Sequence, residues 1–379
     1  MSPARPPDGA RTAARRAEVP SSAAAPTLIT GGAGFIGCNL AHRLLASGRK
    51  VRILDNLGRP GVEQNLQWLR EQHGDQLQVM VADVRDAGAV SRAVAGCAQV
   101  YHFAAQVAVT TSLDDPREDF LVNAQGTLNV LEAARAQHTP PFVLLTSTNK
   151  VYGDLADLAL QPAGQQYQPT DPHVRARGIS EARPLDFHSP YGCSKGAADQ
   201  YVLDYARSYG LRTMVFRMSC IYGPRQFGTE DQGWVAHFIL RALRGESITL
   251  YGDGKQVRDV LFVEDLVNAF LLAEQNAQTL SGRAFNIGGG PSNAISLLDL
   301  IDRIEALHGQ RPQLAFDDWR TGDQRYYVSD TSAFQQATGW KQKVAAREGV
   351  GRLYDWITLH RKPMAVPQPA PAAAAVGAH

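Results

Sequence analysis

The segment Tyr191-Gly192-Cys193-Ser194-Lys195 sets a phenol and an ammonium four residues apart, on one face and within about one turn if the segment is helical. A phenol with an ordinary pKa of about 10 is a poor base near neutrality. A neighbouring positive charge is therefore expected to draw Tyr191 toward phenolate and make it a proton shuttle. Upstream, Thr146-Ser147-Thr148 closes an aliphatic run. A hydroxyl at the carboxyl end of a strand in an open α/β sheet faces bound ligand, where it can hydrogen-bond an alcohol oxygen undergoing oxidation. A lone Tyr-x-x-x-Lys occurs by chance in many helices, so the elements that carry it decide its meaning.

Those elements begin with an apolar strand at Leu28–Thr30 that runs into Gly31-Gly32-Ala33-Gly34-Phe35-Ile36-Gly37. Glycines at Gly31, Gly34 and Gly37 allow a tight turn, a close approach of backbone N–H groups to a pyrophosphate, and a helix packed hard on its strand; the helix start then favours the phosphate charge. A second strand, Val51–Leu54, ends in Asp55 about twenty residues further on, as a dinucleotide fingerprint requires. Asp55 can accept both ribose hydroxyls of NAD, and its charge disfavours the 2′-phosphate of NADP, so NAD is the expected cofactor. A simple helix cap before Leu57 is the other reading of Asp55, and Arg59 is the one nearby feature that would suit NADP. Asp83 and Val84 follow the third strand and suit the adenine. The small residues of Phe103-Ala104-Ala105-Gln106 let a cofactor cross the sheet edge, and Lys195 can hold the nicotinamide ribose. The expected cofactor contacts are Gly31, Gly34, Phe35, Ile36, Gly37, Asp55, Asn56, Asp83, Val84, Ala104, Ala105, Gln106 and Asn123, with Tyr191 and Lys195.

Short β-branched runs alternating with longer amphipathic segments read as βαβ units. Further strands are expected at Leu77–Ala82, Val100–Phe103, Phe142–Thr146 and Thr213–Arg217, with helices at Ile36–Ala46, Asp119–Gln137 and Ser194–Tyr209. The fold class is α/β: a Rossmann doubly wound parallel sheet with a smaller mixed α/β C-terminal substrate domain. The cofactor domain is expected over residues 27–221, with 259–288 returning to it, and the substrate lobe mainly over 222–361. Residues 1–26 and 362–379, rich in Ala and Pro, read as a disordered extension and tail. The 38 Lys and Arg against 37 Asp and Glu leave a net charge of +1, which offers no field for nucleic acid or an anionic membrane. Four dispersed cysteines without a Cys-x-x-Cys spacing argue against a metal site and fit the reducing cytoplasm. No apolar run is long enough to span a bilayer.

The glycine motif, Asp55, Thr146-Ser147-Thr148-x-x-Val151-Tyr152-Gly153 and Tyr191-x-x-x-Lys195, in this order, resemble the extended short-chain dehydrogenase/reductases that modify nucleotide sugars. The resemblance covers about Thr27 to Leu359. It implies that Thr148 is the catalytic hydroxyl, with Tyr191 and Lys195 as its partners. Dehydratases of that family carry Asp-Glu after the catalytic hydroxyl; here the pair is Asn149-Lys150. The segments Asp55–Arg59, Ser147–Asp154, Leu185–Gln200 and Asp231–Trp234 resemble the branch that inverts C2 of a CDP-hexose, of the CDP-paratose to CDP-tyvelose type, with CDP-glucose as a related substrate. That resemblance implies tightly bound NAD, transient oxidation to a 2-keto sugar, a homodimer formed through helices Asp119–Gln137 and Ser194–Tyr209, and a place in lipopolysaccharide O-antigen biosynthesis. Gln106, Thr148, Gln232, Trp234, Arg258 and Arg325 are the implied substrate contacts, the two arginines on the diphosphate. A C4 epimerase or dehydrogenase of another nucleotide sugar, UDP-glucose type, is the alternative.

Outside this set, His102 reads as a satisfied structural histidine and Cys220 as a packed small hydrophobe. His188 is ambiguous and could line the entrance. The stretch Asp154–His188 lacks periodicity, and its position between two catalytic motifs leads to the expectation that it folds over the substrate mouth.

Overall fold

The computed structural model describes residues 25–320 and 322–360. The disordered extension and tail expected at the two ends lie outside the described residues, except for Ala25 and Pro26; the Pro26 carbonyl accepts from the Ala98 N–H.

Seven parallel strands form the main sheet: β1 (Thr27–Thr30), β2 (Val51–Asp55), β3 (Leu77–Val81), β4 (Gln99–His102), β5 (Phe142–Thr148), β6 (Thr213–Met218) and β7 (Arg283–Ile287). Their spatial order is β7-β6-β5-β4-β1-β2-β3. The order reverses beside β1, between β4 and β2, which opens a crevice at the carboxyl ends of these strands. Strand β5 is buried along its whole length, as expected of a central parallel strand covered on both faces. One core beneath the sheet joins Ile29, Leu44, Tyr101, Phe216 and Phe270, and another on the opposite face joins Leu28, Val100, Val130, Val143 and Val202.

Helix Ser189–Tyr209 begins before Tyr191, five residues earlier than its apolar periodicity indicates. Pro190 lies in the first turn, where its missing N–H has no intrahelical partner to lose. The single helix expected over Asp119–Gln137 is instead Pro116–Phe120, a π-turn at Leu121–Gln125 and Gly126–Arg135. The π-turn carries Asn123 into the interior, where its side chain makes several hydrogen bonds.

A third core gathers Tyr222, Phe238, Ile239, Ile301, Val350 and Leu353. It supports a small mixed sheet in which Val257–Phe262 pairs with Cys220–Tyr222, Ala294–Ser296 and Tyr326–Tyr327. Helix Val263–Gln275 then carries the chain back under the main sheet to β7. The insert after Asp154 forms a hairpin, Leu160–Ala163 with Gln166–Pro169, and helix Pro172–Arg177. It does not fold over the substrate mouth. Its apolar side chains pack on Tyr326, Tyr327 and Val328, and Tyr167 bonds Lys255 and Asp253 behind the small sheet. Among the described residues, no helix is long and apolar enough to cross a membrane.

Candidate active site

A cleft of about 1080 Å³ runs from the glycine turn, past the ends of β4 and β5, to the second lobe. It exceeds the few hundred to about 1,000 Å³ of a small-molecule pocket, so it has room for a dinucleotide and a second ligand. At its first end Gly31 has φ +68°, and a Cβ there would stand 2.7 Å from the Ala104 nitrogen. A Cβ on Gly37 would stand 2.3 Å from the Gly31 carbonyl oxygen, which fixes how closely helix Phe35–Ala46 meets its strand. A Cβ on Gly34 would meet only the Gly31 oxygen, at 3.2 Å, and would otherwise enter the cleft. The helix starting at Phe35 has no side-chain cap and no acidic residue in its first turn. That cradle and that uncapped helix start fit a pyrophosphate.

Asp55 closes β2 inside the same cleft. Its two carboxylate oxygens accept from Ala33 N at 3.0 Å and Leu57 N at 2.9 Å. Burial pushes its pKa up, opposed by those N–H groups and by Arg59. Asp55 is not a helix cap, since the next helix starts at Val62 with Gly61 as its N-cap; it braces the glycine turn and lines the cleft. Asp83 is gripped by Arg85 and Asn56, and the first of these holds its pKa down to about 2. Phe35, Ile36, Asn56, Asp83, Val84, Ala104, Ala105 and Gln106 all line the cleft. Asn123 does not. It is buried behind the Gln106 turn, bonding the Gln106 N–H and carbonyl, Ser194 Oγ and Asp119, so it braces the site instead of reaching a cofactor. The Gln106 side chain is closed onto Ala108 in both directions, at 2.8 and 2.9 Å.

Thr148, Tyr191 and Lys195 line one stretch of the cleft and are all buried. Burial pushes the Tyr191 phenol up to about 12, against the Thr148 hydroxyl and the Arg59 guanidinium, while Asp119 adds to the rise. The sequence-based expectation of a lowered Tyr191 is thus reversed in the protein alone. The protein cation that opposes this rise is Arg59, while Lys195 Nζ donates to the Thr146 carbonyl at 2.6 Å. Burial brings Lys195 itself down to about 8, with Asp199 and Asp119 opposing. Lowering Tyr191 requires further positive charge in the site. His102 is fully satisfied by Thr30 at 2.6 Å and Thr127 at 3.1 Å, and burial lowers it to about 3, so it is structural. Cys220 lines the cleft, its thiol pushed up by burial. His188 pairs with Asp186 and Asp154 at the start of the helix, outside the cleft lining.

Residues 27–288 match the NAD dependent epimerase/dehydratase family. This chain belongs to that family. It is accordingly an enzyme whose cofactor is NAD. The chain is 43% identical over 338 residues to the CDP-paratose 2-epimerase of Salmonella typhi, spanning 87% of this chain and 98% of that one. It is 34% identical over 332 residues to the UDP-glucose 4-epimerase of Mycolicibacterium smegmatis, spanning 87% and 98%. Among solved structures, it is similar to the UDP-glucuronic acid 4-epimerase from Bacillus cereus in complex with UDP-glucuronic acid and NAD, with a TM-score of 0.76, 26% identity, and coverage of 88% and 99%.

In this epimerase/dehydratase chain the two residues after Thr148 tie the end of β5 to the second lobe. Asn149 donates to Gln324 at 3.0 Å, and Lys150 donates to the Gly322 carbonyl at 3.0 Å. Gln232, Trp234 and Arg258 line the lobe side of the cleft. Trp234 also packs edge-on against Phe238, so it serves cleft and core together. Arg325 is not among the residues that line the cleft; its guanidinium lies over Trp319 and Tyr167. Arg320 lines the cleft in its place, stacked over Tyr251 at 3.8 Å and paired with Glu230 at 2.9 Å. Arg320, Asp323 and Gln256 received no role from the sequence. Gln256 is buried in the cleft wall with its Nε2 on the Tyr251 carbonyl and its Oε1 without a partner.

Proposed function

We propose that the protein inverts C2 of a CDP-hexose, CDP-paratose or the related CDP-glucose, by transient oxidation to a 2-keto sugar. The observation that carries the reaction type is the buried Thr148, Tyr191 and Lys195 in one cleft, followed by Asn149 and Lys150 bound to the lobe. An amide and an ammonium stand where dehydration would need an acid and a base. The choice of CDP and of C2 rests on the similarity to the Salmonella enzyme.

NAD, held by the glycine turn, Asp55, Asp83 and Lys195, supplies when bound the two-electron acceptor that oxidation of an alcohol requires, and returns the electrons. Thr148 orients the substrate hydroxyl, and Tyr191 takes its proton and later gives it back. Lys195, anchored on Thr146, holds the nicotinamide ribose, and the Arg59 guanidinium is the protein cation that draws Tyr191 down. Asn123, Ser194 and Asp119 hold the Gln106 turn against the catalytic helix. Because net redox is zero, the cofactor is retained between turnovers. The large sheet holds NAD, and the lobe mainly over residues 222–361, apart from the 259–288 return to the sheet, holds the nucleotide sugar, with Arg258 and Arg320 on the diphosphate. A homodimer through the helical run 116–135 and helix Ser189–Tyr209 is supported by Phe120 and Tyr201, large side chains exposed at 55% and 46%. A cytoplasmic place in O-antigen sugar supply follows from the same reading.

The test is turnover of CDP-glucose, CDP-paratose, UDP-glucose and UDP-galactose by purified protein without added NAD, followed by NMR. Selective conversion of a CDP sugar to its C2 epimer is expected. Interconversion of UDP-glucose and UDP-galactose, with the CDP sugars untouched, overturns the reading in favour of C4 epimerisation.

A further inference from the structure

Lys150 is two residues from Thr148, and its backbone N–H donates to the Thr148 hydroxyl at 3.2 Å. Its side chain is mostly buried, yet it lines the cleft beside Arg258. The two cations share one carboxylate: Asp323 Oδ1 lies 2.6 Å from Arg258 Nη2 and 3.8 Å from Lys150 Nζ. Asp154 acts on Lys150 only at longer range and is engaged by His188. The wall of the cleft next to the catalytic hydroxyl therefore carries more cation than anion, which is the electrostatic form of a phosphate site.

Chemistry fixes which phosphate. In a nucleotide hexose the diphosphate is attached at C1. C2 adjoins C1, whereas C4 lies across the ring from it. An enzyme that reacts at C2 must hold the sugar-linked phosphate close to its catalytic hydroxyl; one that reacts at C4 holds it a ring's width away. Accordingly, we propose that Lys150, together with Arg258, binds the sugar-linked β-phosphate and so sets C2 against Thr148 and Tyr191. This rests on the C2 reading above, and it makes Lys150 a substrate-binding residue that selects which carbon reacts.

Binding of CDP, CMP and UDP to the NAD-loaded protein, measured by calorimetry for the wild type, Lys150→Met and Lys150→Arg, tests it. One charge-assisted hydrogen bond to phosphate corresponds to about tenfold or more in affinity. Lys150→Met is expected to weaken CDP and UDP by about that factor and CMP far less, with Lys150→Arg recovering most of the loss. Equal losses for CDP and CMP, or no loss for either, overturn the proposal. Should Lys150→Met unfold, acetylation of the wild type read by mass spectrometry decides: CDP must shield Lys150 where CMP does not. UDP binding that depends on Lys150, with no turnover of any CDP sugar, sinks the CDP reading and leaves the phosphate contact standing.

Discussion

Gly34 and Gly37 belong to one motif but face different neighbours, so alanine at each should fail differently. At Gly37 the added Cβ stands 2.3 Å from the Gly31 oxygen and 2.6 Å from the Gly32 Cα, both backbone atoms. Overpacking against an unyielding wall costs about 1–3 kcal/mol, so Gly37→Ala should melt roughly 2–12 °C lower, at about 2–4 °C per kcal/mol. At Gly34 the backbone is extended, φ −67° and ψ 173°, which alanine adopts freely. Its Cβ meets only one atom closely, so the stability cost is about 1 kcal/mol, that of a poorer N-cap. The same methyl occupies the floor of the pyrophosphate cradle, and the same 1–3 kcal/mol of overpacking there falls on the cofactor, about 5- to 150-fold in NAD affinity. Acid-released nicotinamide per chain, calorimetric titration with NAD and a thermal melt separate the two variants. A Gly34→Ala protein that melts near the wild type and keeps its full complement of NAD would refute the placement of the pyrophosphate.

Four further outcomes are expected. Thr148→Val and Tyr191→Phe should each lower kcat by about 10²- to 10⁴-fold while retaining bound NAD, as general acid–base contributions do; loss of the cofactor in either would show that the side chain holds NAD instead. Asp199 is fully buried and grips Arg217 with both oxygens, at 2.8 and 2.9 Å, so Asp199→Ala should cost about 3–5 kcal/mol in denaturant unfolding, and a loss under about 1 kcal/mol contradicts this. Lys195 falls from 10.5 to about 8 in the fold, so between those pH values the unfolded chain binds the extra proton and stability rises with pH. The stability of wild type relative to Lys195→Met should therefore improve on the order of a few kcal/mol from pH 8 to 10.5, and a flat difference rejects the burial of its charge. Phe120→Asp with Tyr201→Asp should halve the mass seen by light scattering; an unchanged dimer moves the interface elsewhere.

The glycine turn, Asp55 and the Thr148/Tyr191/Lys195 set were legible because their chemistry is local and their order along the chain dictates their order across the sheet. What the sequence could not reveal depended on where a turn points a side chain. Arg325 is the arginine the sequence points to, yet Arg320, five residues earlier, is the one that lines the cleft. Asn123 reads as a cofactor ligand until the π-turn sinks it behind Gln106. Burial of the phenol in the folded cleft raises Tyr191, a tertiary effect that the four-residue spacing alone misjudges. The Asp154–His188 insert lacks a period because it is stitched to the lobe by residues far along the chain, such as Tyr167 to Asp253 and Ile179 to Val328.

The central claim is inversion at C2 by removal and return of the same hydrogen. CDP-paratose carrying deuterium at C2, incubated in ordinary water with the purified protein and no added NAD, tests it in one NMR spectrum series. The account predicts the C2 epimer with its deuterium still on C2 through many turnovers. Deuterium lost to solvent, or inversion at C4 with C2 unchanged, would contradict it.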